Sequence, residues 1–143
     1  MNYLLDTNVV SEWVKPRPNA GVVQWLAEVD EDRTHLSVIT LAELRHGIER
    51  LPNGARRTRL QHWLAVDLRE RFEGRLLAVD ADIADACGVI VARGEATGRP
   101  IGAMDALLLA TARVHGLAVV TRNAQDFVGR GQRIIDPWAE TAT

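Results

Sequence analysis

Residues 2–8, Asn2-Tyr3-Leu4-Leu5-Asp6-Thr7-Asn8, join a short apolar run to an aspartate and then to polar residues that favour a helix start. We interpret Tyr3-Leu4-Leu5 as the first strand of an α/β fold, because buried parallel strands are short apolar runs. Open α/β sheets place their chemistry at the carboxyl ends of the strands. Asp6 therefore lies where a functional group of such a fold is expected.

Short apolar strands alternate with longer helical patterns through the rest of the chain. This alternation predicts an α/β domain with a small central parallel sheet flanked by helices. After the first strand, the predicted strands are 35–38, 76–79, 117–120 and a short edge strand at 134–135. A length of 143 residues fits one domain, 1–143, since domains most often have 100–200 residues.

The helical patterns are bounded by capping residues and by Gly or Pro. The first predicted helix covers 8–14 and is capped by Thr7 or Asn8. The later predicted helices are one capped by Asn19, one capped by Thr40, a long amphipathic segment over 55–72, one that starts at Asp80 or Asp82 and runs toward 97–98, and one over 103–115 that Gly116 ends.

Composition excludes several classes of protein. The net charge of −2 gives no overall attraction to polyanions, so a nucleic-acid partner would need a local patch of arginines. Cys87 is the only cysteine, which excludes an internal disulfide. No apolar run approaches the roughly 20 residues that span a bilayer, and Asp6 comes too early for a signal peptide. We therefore expect a cytoplasmic protein with no membrane partner.

Two further acids interrupt apolar helical patterns, namely Glu43 and Asp105. Strand ends and the helix starts that follow them share one edge of a parallel sheet, so Asp6, Glu43 and Asp105 are expected to converge. Converging carboxylates repel one another unless a cation lies between them. Mg²⁺ or Mn²⁺ suits such oxygen ligands and often contacts a phosphate substrate, which predicts metal-assisted hydrolysis.

Each of the later acids also has a structural interpretation. Glu43 follows the predicted cap Thr40 by three residues, so it could instead complete a capping box. Asp105 lies near a predicted helix start, where the helix dipole favours a carboxylate. The pattern leaves these alternatives open.

A further ligand is expected after the fourth strand, within 121–127. Asn123 is at the expected distance from the strand end, and a neutral amide would bind weakly or through water. Asp126 is the charged alternative, although it lies further along and could pair with Arg122 instead. Spacing does not separate Asn123 from Asp126.

Together these residues resemble the PIN-domain ribonucleases, and in particular the VapC-type toxins of bacterial toxin–antitoxin pairs. The opening Asp6-Thr7-Asn8-Val9-Val10-Ser11-Glu12 is similar to the subgroup of FitB-type toxins, whose toxin–antitoxin complexes bind DNA. The resemblance extends over almost the whole chain through four motifs: 4–8, 37–44, 105–110 and 120–127.

The resemblance implies a toxin ribonuclease that hydrolyses RNA phosphodiester bonds with Mg²⁺ or Mn²⁺. It makes Asp6, Glu43 and Asp105 the catalytic and metal-binding acids. It also implies that the protein forms a homodimer and is held inactive by a small VapB-type antitoxin, with a larger assembly on operator DNA. The positions implied to complete or support the site are Asn123, Asp126, Thr7, Asn8 and Thr121.

The candidate contacts to RNA backbone are arginines near the predicted site. A run such as Arg56-Arg57-Thr58-Arg59 is usually a solvated helix start, and contact with RNA is the alternative. Trp13, Trp25 and Trp63 could line an antitoxin groove, although tryptophans at helical spacing usually belong to the core. The arginines concerned are Arg45, Arg56, Arg57, Arg59, Arg99 and Arg122.

Other chemistries fit less well. A metal-free ribonuclease needs paired histidines, and the four histidines share no motif. A receiver domain needs a late lysine, whereas Lys15 is the only lysine. A haloacid-dehalogenase-like phosphatase needs a second aspartate where Asn8 stands. The remaining alternative is a catalytically weak PIN-fold binding module that acts mainly in an antitoxin–operator complex.

Overall fold

The computed structural model describes residues 1–139, which contain one sheet of five parallel strands. The strand order is β3-β2-β1-β4-β5, so the strand nearest the amino terminus lies in the middle. Asp6, directly after β1, is therefore at the centre of the sheet's carboxyl edge. The strands are β1 (Tyr3–Leu5), β2 (Thr34–Ser37), β3 (Leu76–Leu77), β4 (Ala118–Val120) and β5 (Ile134–Ile135).

Helices connect the strands and cover both faces of the sheet. Two short 3₁₀ turns, Glu12–Val14 and Glu31–Arg33, extend α1 and lead into β2, and a π-helical turn, Trp63–Asp67, joins α4 to α5. The helices are α1 (Thr7–Ser11), α2 (Ala20–Glu28), α3 (Val38–Glu49), α4 (Ala55–His62), α5 (Leu68–Arg71), α6 (Ala81–Ala96), α7 (Ala103–His115) and α8 (Ala124–Phe127).

The core has two parts, one on each face of the sheet, because neighbouring residues of a strand point to opposite faces. Leu5 and Val120 belong to the part that contains Phe72, whereas Leu4 and Val119 belong to the part that contains Phe127. All six side chains are fully buried. Burying a leucine stabilises a fold by about 1.5–3 kcal/mol, so β1 and β4 fix the middle of the sheet firmly.

The predicted fold class and all five strands are confirmed; β3 and β4 are shorter than predicted, and β2 lies one residue earlier. Two helix starts were predicted wrongly. α1 is capped by Asp6 rather than by Thr7 or Asn8, since the Asp6 carboxylate accepts a hydrogen bond from the Thr7 N–H. α3 is capped by Ser37 rather than Thr40, because the Ser37 hydroxyl accepts from the Ile39 N–H at 3.0 Å. The prediction missed these because each helix begins directly at the end of a strand: the cap Asp6 follows β1, and the cap Ser37 is the last residue of β2.

The other helix predictions agree closely with the structure. Asn19 caps α2, and Asp80, one of the two alternatives, caps α6 by accepting from the Ile83 N–H. α7 ends at Gly116, whose φ of 66° is the left-handed conformation that favours glycine. The segment 55–72 is helical but contains the π turn, which the regular apolar spacing does not reveal. Within residues 1–139, no helix is both long and apolar enough to cross a bilayer.

Candidate active site

Asp6 is a buried carboxylate held by three neutral donors. The Thr121 hydroxyl donates to Oδ2 at 2.7 Å, the Thr7 N–H donates to Oδ1 at 2.7 Å, and the Asn8 amide approaches Oδ2 at 3.4 Å. Burial raises the pKa of Asp6 above its ordinary value; the hydrogen bonds from Thr121 and Thr7 oppose that rise, and the negative charge of Glu43 adds to it. No cationic side chain is among these partners, so the charge of Asp6 is oriented but not neutralised.

Glu43 reaches the same edge from α3. Its Oε1 accepts a 2.7 Å hydrogen bond from the Thr7 hydroxyl, which also approaches the buried Thr40 hydroxyl at 3.4 Å. Because α3 starts at Val38, Glu43 lies in the second turn of the helix and not at its third position. The capping-box alternative for Glu43 is therefore wrong, and the side chain is left for another role.

Asp105 lies half-buried in the first turn of α7. Partial burial raises the pKa of Asp105, and the negative charges of Asp6, Asp126 and Glu43 raise it further. The structure therefore brings the four acids close enough for their charges to interact. This arrangement agrees with the predicted convergence of Asp6, Glu43 and Asp105, although the helix dipole also favours a carboxylate at this position.

The segment after β4 contains Asn123 and Asp126, the two alternatives for the further ligand. The Thr121 hydroxyl, while donating to Asp6, accepts from the Asn123 N–H at 3.0 Å, and the Asn123 carbonyl accepts from the Asp126 N–H at 3.0 Å. Both side chains are exposed. The negative charge of Asp126 acts on Asp105, which favours Asp126 as the member that shares the acidic edge.

The donor set of this edge fits a hard divalent cation that keeps much of its water. Its side-chain donors are all oxygen atoms, as Mg²⁺ and Mn²⁺ prefer. Within residues 1–139, no group of three or more His, Cys, Asp or Glu side chains is arranged to hold a metal ion by itself. Mg²⁺ commonly binds through one or two carboxylates together with water and substrate phosphate, so an open set of acids is compatible with it.

The nominated arginines have very different surroundings. Arg45 and Arg57 both pair with Glu49, and Arg57 also contacts Asn53. Arg99 donates to the carbonyls of Val128 and Gln125, and the Arg122 guanidinium lies 5.6 Å from the centre of the Trp138 ring. Arg56 is exposed and lines a groove beside Glu43, and Arg59 is exposed on α4.

That groove has a volume of about 240 Å³ and begins at the acidic edge. Thr7 and Glu43 lie at its polar end, and its walls come from α1, α3 and α4. Among the three tryptophans considered for a groove, Trp63 lines this one, whereas Trp13 packs on Phe72 and Trp25 on Tyr3. Its mostly apolar lining includes Val14, Leu44, Ile48, Leu51 and Leu60.

Two features of the site were missed from the sequence. The hydroxyl of Thr40 is part of it, because Thr40 lies inside α3 instead of at its start. Arg130, which was not considered, donates from Nε to the Asp126 carbonyl at 2.9 Å. The glycines at 129 and 131, both with positive φ, could have signalled a tight turn around this arginine.

Comparison with known proteins gives consistent results. Residues 3–128 match the family described as the PIN domain. The chain is 38% identical over 135 residues to the VapC ribonuclease Y4jK of Sinorhizobium fredii, with 94% of this chain and 96% of that protein covered. It is also 38% identical over 135 residues to the toxin FitB of Neisseria gonorrhoeae, with 94% and 97% covered.

The similarity extends to three dimensions. The fold aligns with a chain from the structure of FitAB bound to the IR36 DNA fragment with a TM-score of 0.90. The alignment covers 95% of each chain at 35% sequence identity. The sheet and the helices that carry the four acids therefore have a close counterpart in a solved structure.

Proposed function

The chain belongs to the PIN domain family, and we propose that residues 1–143 form one such domain whose acidic edge hydrolyses RNA with the help of Mg²⁺ or Mn²⁺. Its relatives and structural neighbours support a toxin ribonuclease of a toxin–antitoxin pair. Because RNA is the substrate, we place this activity in the cytoplasm.

The metal-dependent mechanism is supported above all by the electrostatic repulsion between the acids. Asp6, Glu43, Asp105 and Asp126 come from four different connections, and three of them raise the pKa of the fourth. A fold gains nothing in stability by bringing unpaired carboxylates together. A bound cation would offset this repulsion, with Asp6, Glu43 and Asp105 as its holders and Asn123 or Asp126 completing the set.

A divalent cation, when bound, activates water for attack and offsets the negative charge that develops on the phosphodiester. The protein's own contribution is to orient the acids. Thr121 and Thr7 fix the two oxygens of Asp6, and the Thr7 hydroxyl fixes Glu43. Asn8 links this cluster to the segment after β4, since its Oδ1 accepts from the Arg122 N–H at 3.2 Å.

The partners are an antitoxin and, through it, operator DNA, as the antitoxin-bound structural neighbours support. We propose that a VapB-type antitoxin occupies the groove between α1, α3 and α4. Its apolar walls suit an amphipathic helix, and its polar end at Glu43 would bring the antitoxin to the acidic edge. We also propose that the toxin forms a homodimer within a larger assembly on operator DNA.

Cleavage of a mixed RNA pool by the purified, antitoxin-free protein tests the proposed function. We expect cleavage with Mg²⁺ or Mn²⁺, none with EDTA, and none with Asp6→Asn or Asp105→Asn. Asp85→Asn is the matched control, because Asp85 is exposed on α6 and lies outside the acidic edge.

Two results would contradict the proposal in different ways. Cleavage that survives EDTA and both substitutions would indicate a contaminant or a metal-free mechanism. Absence of cleavage of any RNA, including structured tRNA and rRNA, would favour the alternative of a catalytically weak PIN-fold module that acts mainly in an antitoxin–operator complex.

A further inference from the structure

A second cavity, of about 450 Å³, lies outside the acidic edge, between α6, α7 and the loop that follows α8. Its charged lining consists only of arginines, and none of them was nominated from the sequence. The glycines beside them bring the backbone close to the guanidinium groups. The lining residues that matter here are Arg93, Arg113, Arg130, Gly94, Gly129 and Gly131.

Backbone carbonyls, and not carboxylates, hold Arg113 and Arg130. Arg130 donates from Nη1 to the Arg99 carbonyl at 3.0 Å, in addition to its bond to the Asp126 carbonyl, and Arg113 donates from Nη2 to the Arg130 carbonyl at 2.6 Å. In residues 1–139, neither these two arginines nor Arg93 or Arg99 forms an ion pair with an acid. The positive charges of Arg113 and Arg130 are therefore fixed in place but not neutralised.

The glycines show that this close packing is built into the sequence. A Cβ at Gly94 would lie 2.7 Å from the Arg99 carbonyl oxygen and 3.3 Å from Nη1 of Arg130. Gly131, with φ of 101°, would place a Cβ 3.4 Å from Nη2 of Arg113. A larger residue at Gly94 would thus displace the backbone that Arg130 donates to, and one at Gly131 would be strained.

The crowding of like charge has an electrostatic cost. Partial burial lowers the pKa of Arg130, and the positive charge of Arg99 lowers it further, against the opposite effect of Asp126. The whole chain has a net charge of −2, so this concentration of arginine is a local feature. An anion in the cavity would offset the repulsion, and guanidinium groups suit phosphate because they present several donors in one plane.

We propose that this arginine cavity binds a backbone phosphate of the RNA substrate at a distance from the cleaved bond. The inference rests on the proposed ribonuclease function. Arg130 lines the cavity and donates to the backbone carbonyl of Asp126, so the cavity adjoins the segment that carries Asp126 to the acidic edge. Arg93 is the expected contact with the ligand, because it is exposed and, within the described residues, its guanidinium makes no hydrogen bond or ion pair.

The test measures RNA binding without cleavage. In the Asp6→Asn background, a pool of short single-stranded RNAs is titrated at several salt concentrations, comparing Arg93→Gln with the matched control Arg33→Gln. Arg33 is exposed before β2, at the opposite edge of the sheet. For single strands, each phosphate contact makes the plot of log affinity against log salt steeper by about 0.7. We therefore expect Arg93→Gln to reduce the magnitude of this negative slope by about 0.7.

The control variants keep the result interpretable. Arg33→Gln should leave the slope unchanged, and Arg93→Lys should restore most of it, since lysine keeps the charge. In the described residues the Arg93 guanidinium makes no hydrogen bond, so its variants should melt at the temperature of the parent. Equal slopes for Arg93→Gln and Arg33→Gln would overturn the proposal. If Arg93→Gln then also weakened antitoxin binding, the cavity would be a contact with the antitoxin and not with RNA.

Failure of this inference is distinguishable from failure of the proposed function. If the wild-type protein cleaves RNA but the salt dependence of binding is the same with and without Arg93, the ribonuclease function is supported and the cavity has no role in RNA binding. If the slope depends on Arg93 while the wild-type protein cleaves no RNA, the cavity stands and the catalytic proposal is wrong.

Discussion

The acidic edge and the arginine cavity are opposite in charge but similar in construction. Each holds several like charges close together, and each fixes them through neutral dipoles instead of through ions of opposite sign. Hydroxyl and amide donors orient Asp6 and Glu43, while backbone carbonyls orient Arg113 and Arg130. A neutral partner sets the position of a charge without neutralising it, so both regions keep their charge for a ligand.

The two regions differ in how deeply the charge is buried. Asp6 is only 6% exposed, whereas Arg93 is an exposed residue of its cavity. Loss of a buried, oriented charge should therefore abolish a reaction, whereas loss of an exposed charge should weaken one contact among several. The following experiments test that contrast.

The largest effect is expected from Asp6→Asn and Asp105→Asn. We expect RNA cleavage to fall by at least about a thousandfold if, as proposed, these acids hold the metal ion that activates water. Both carboxyls have raised pKa values, so the ionised forms cost stability in the metal-free protein. We therefore expect neither variant to lower the melting temperature, which calorimetry in EDTA measures. Loss of activity together with unfolding would contradict this contrast.

Removal of the metal should change stability next most strongly. A ligand that binds only the folded state at a hundred times its dissociation constant stabilises it by about 2.7 kcal/mol. We expect Mg²⁺ to raise the melting temperature of the wild-type protein and to have much less effect on Asp6→Asn. An equal shift in both proteins would mean that the cation binds elsewhere.

The pH dependence should reverse sign with the metal. In EDTA, the raised pKa values of Asp6 and Asp105 mean that the folded protein binds more protons than the unfolded chain. The free energy of unfolding should therefore rise as the pH falls from neutral through those pKa values. With Mg²⁺, acid should destabilise the protein, because the cation needs ionised carboxylates. Melting curves in the two buffers measure both signs, and parallel curves would contradict the assignment.

Thr121→Val should have an intermediate effect, since it removes the shortest side-chain hydrogen bond to Asp6 without changing the side-chain shape. Loss of such an orienting partner typically costs about 10–100-fold in metal affinity or activity. Thr111→Val is the matched control: Thr111 is equally buried, and its hydroxyl donates to the Leu107 carbonyl inside α7. Similar losses of activity in both variants would mean that the effect is only structural.

The smallest effect should be that of Gly94→Ala on stability. Overpacking against the Arg99 carbonyl should cost about 1–3 kcal/mol, because backbone atoms cannot move aside as a flexible side chain can. Gly88→Ala in the same helix meets open space and should instead stabilise the protein by up to about 1 kcal/mol. Denaturant unfolding measures both, and equal shifts would show that the arginine cavity is loosely packed.

The sequence predicts the acidic edge better than the arginine cavity for a physical reason. Asp6 follows a strand and Asp105 follows a helix break, so sheet topology alone brings them together. Glu43 was also placed near this edge, although through the wrong cap, because a helix start displaced by three residues still leaves the side chain within reach of Thr7.

The cavity depends on contacts that no local pattern encodes. Arg113 and Arg130 are 17 residues apart and meet through a carbonyl. The sequence likewise does not distinguish Asn123 from Asp126, since their positions depend on how α8 is oriented after β4. Arg99, nominated for RNA, instead holds the loop around Val128, which spacing could not show.

The hydrogen bond between Thr121 and Asp6 joins residues 115 positions apart, across the central pair of strands. A ribosome that has made β1, α3 and α7 has thus made Asp6, Glu43 and Asp105, but Asp6 still lacks Thr121 because β1 has no β4 on one side. The acidic edge is therefore assembled only after β4 has been made and has paired with β1.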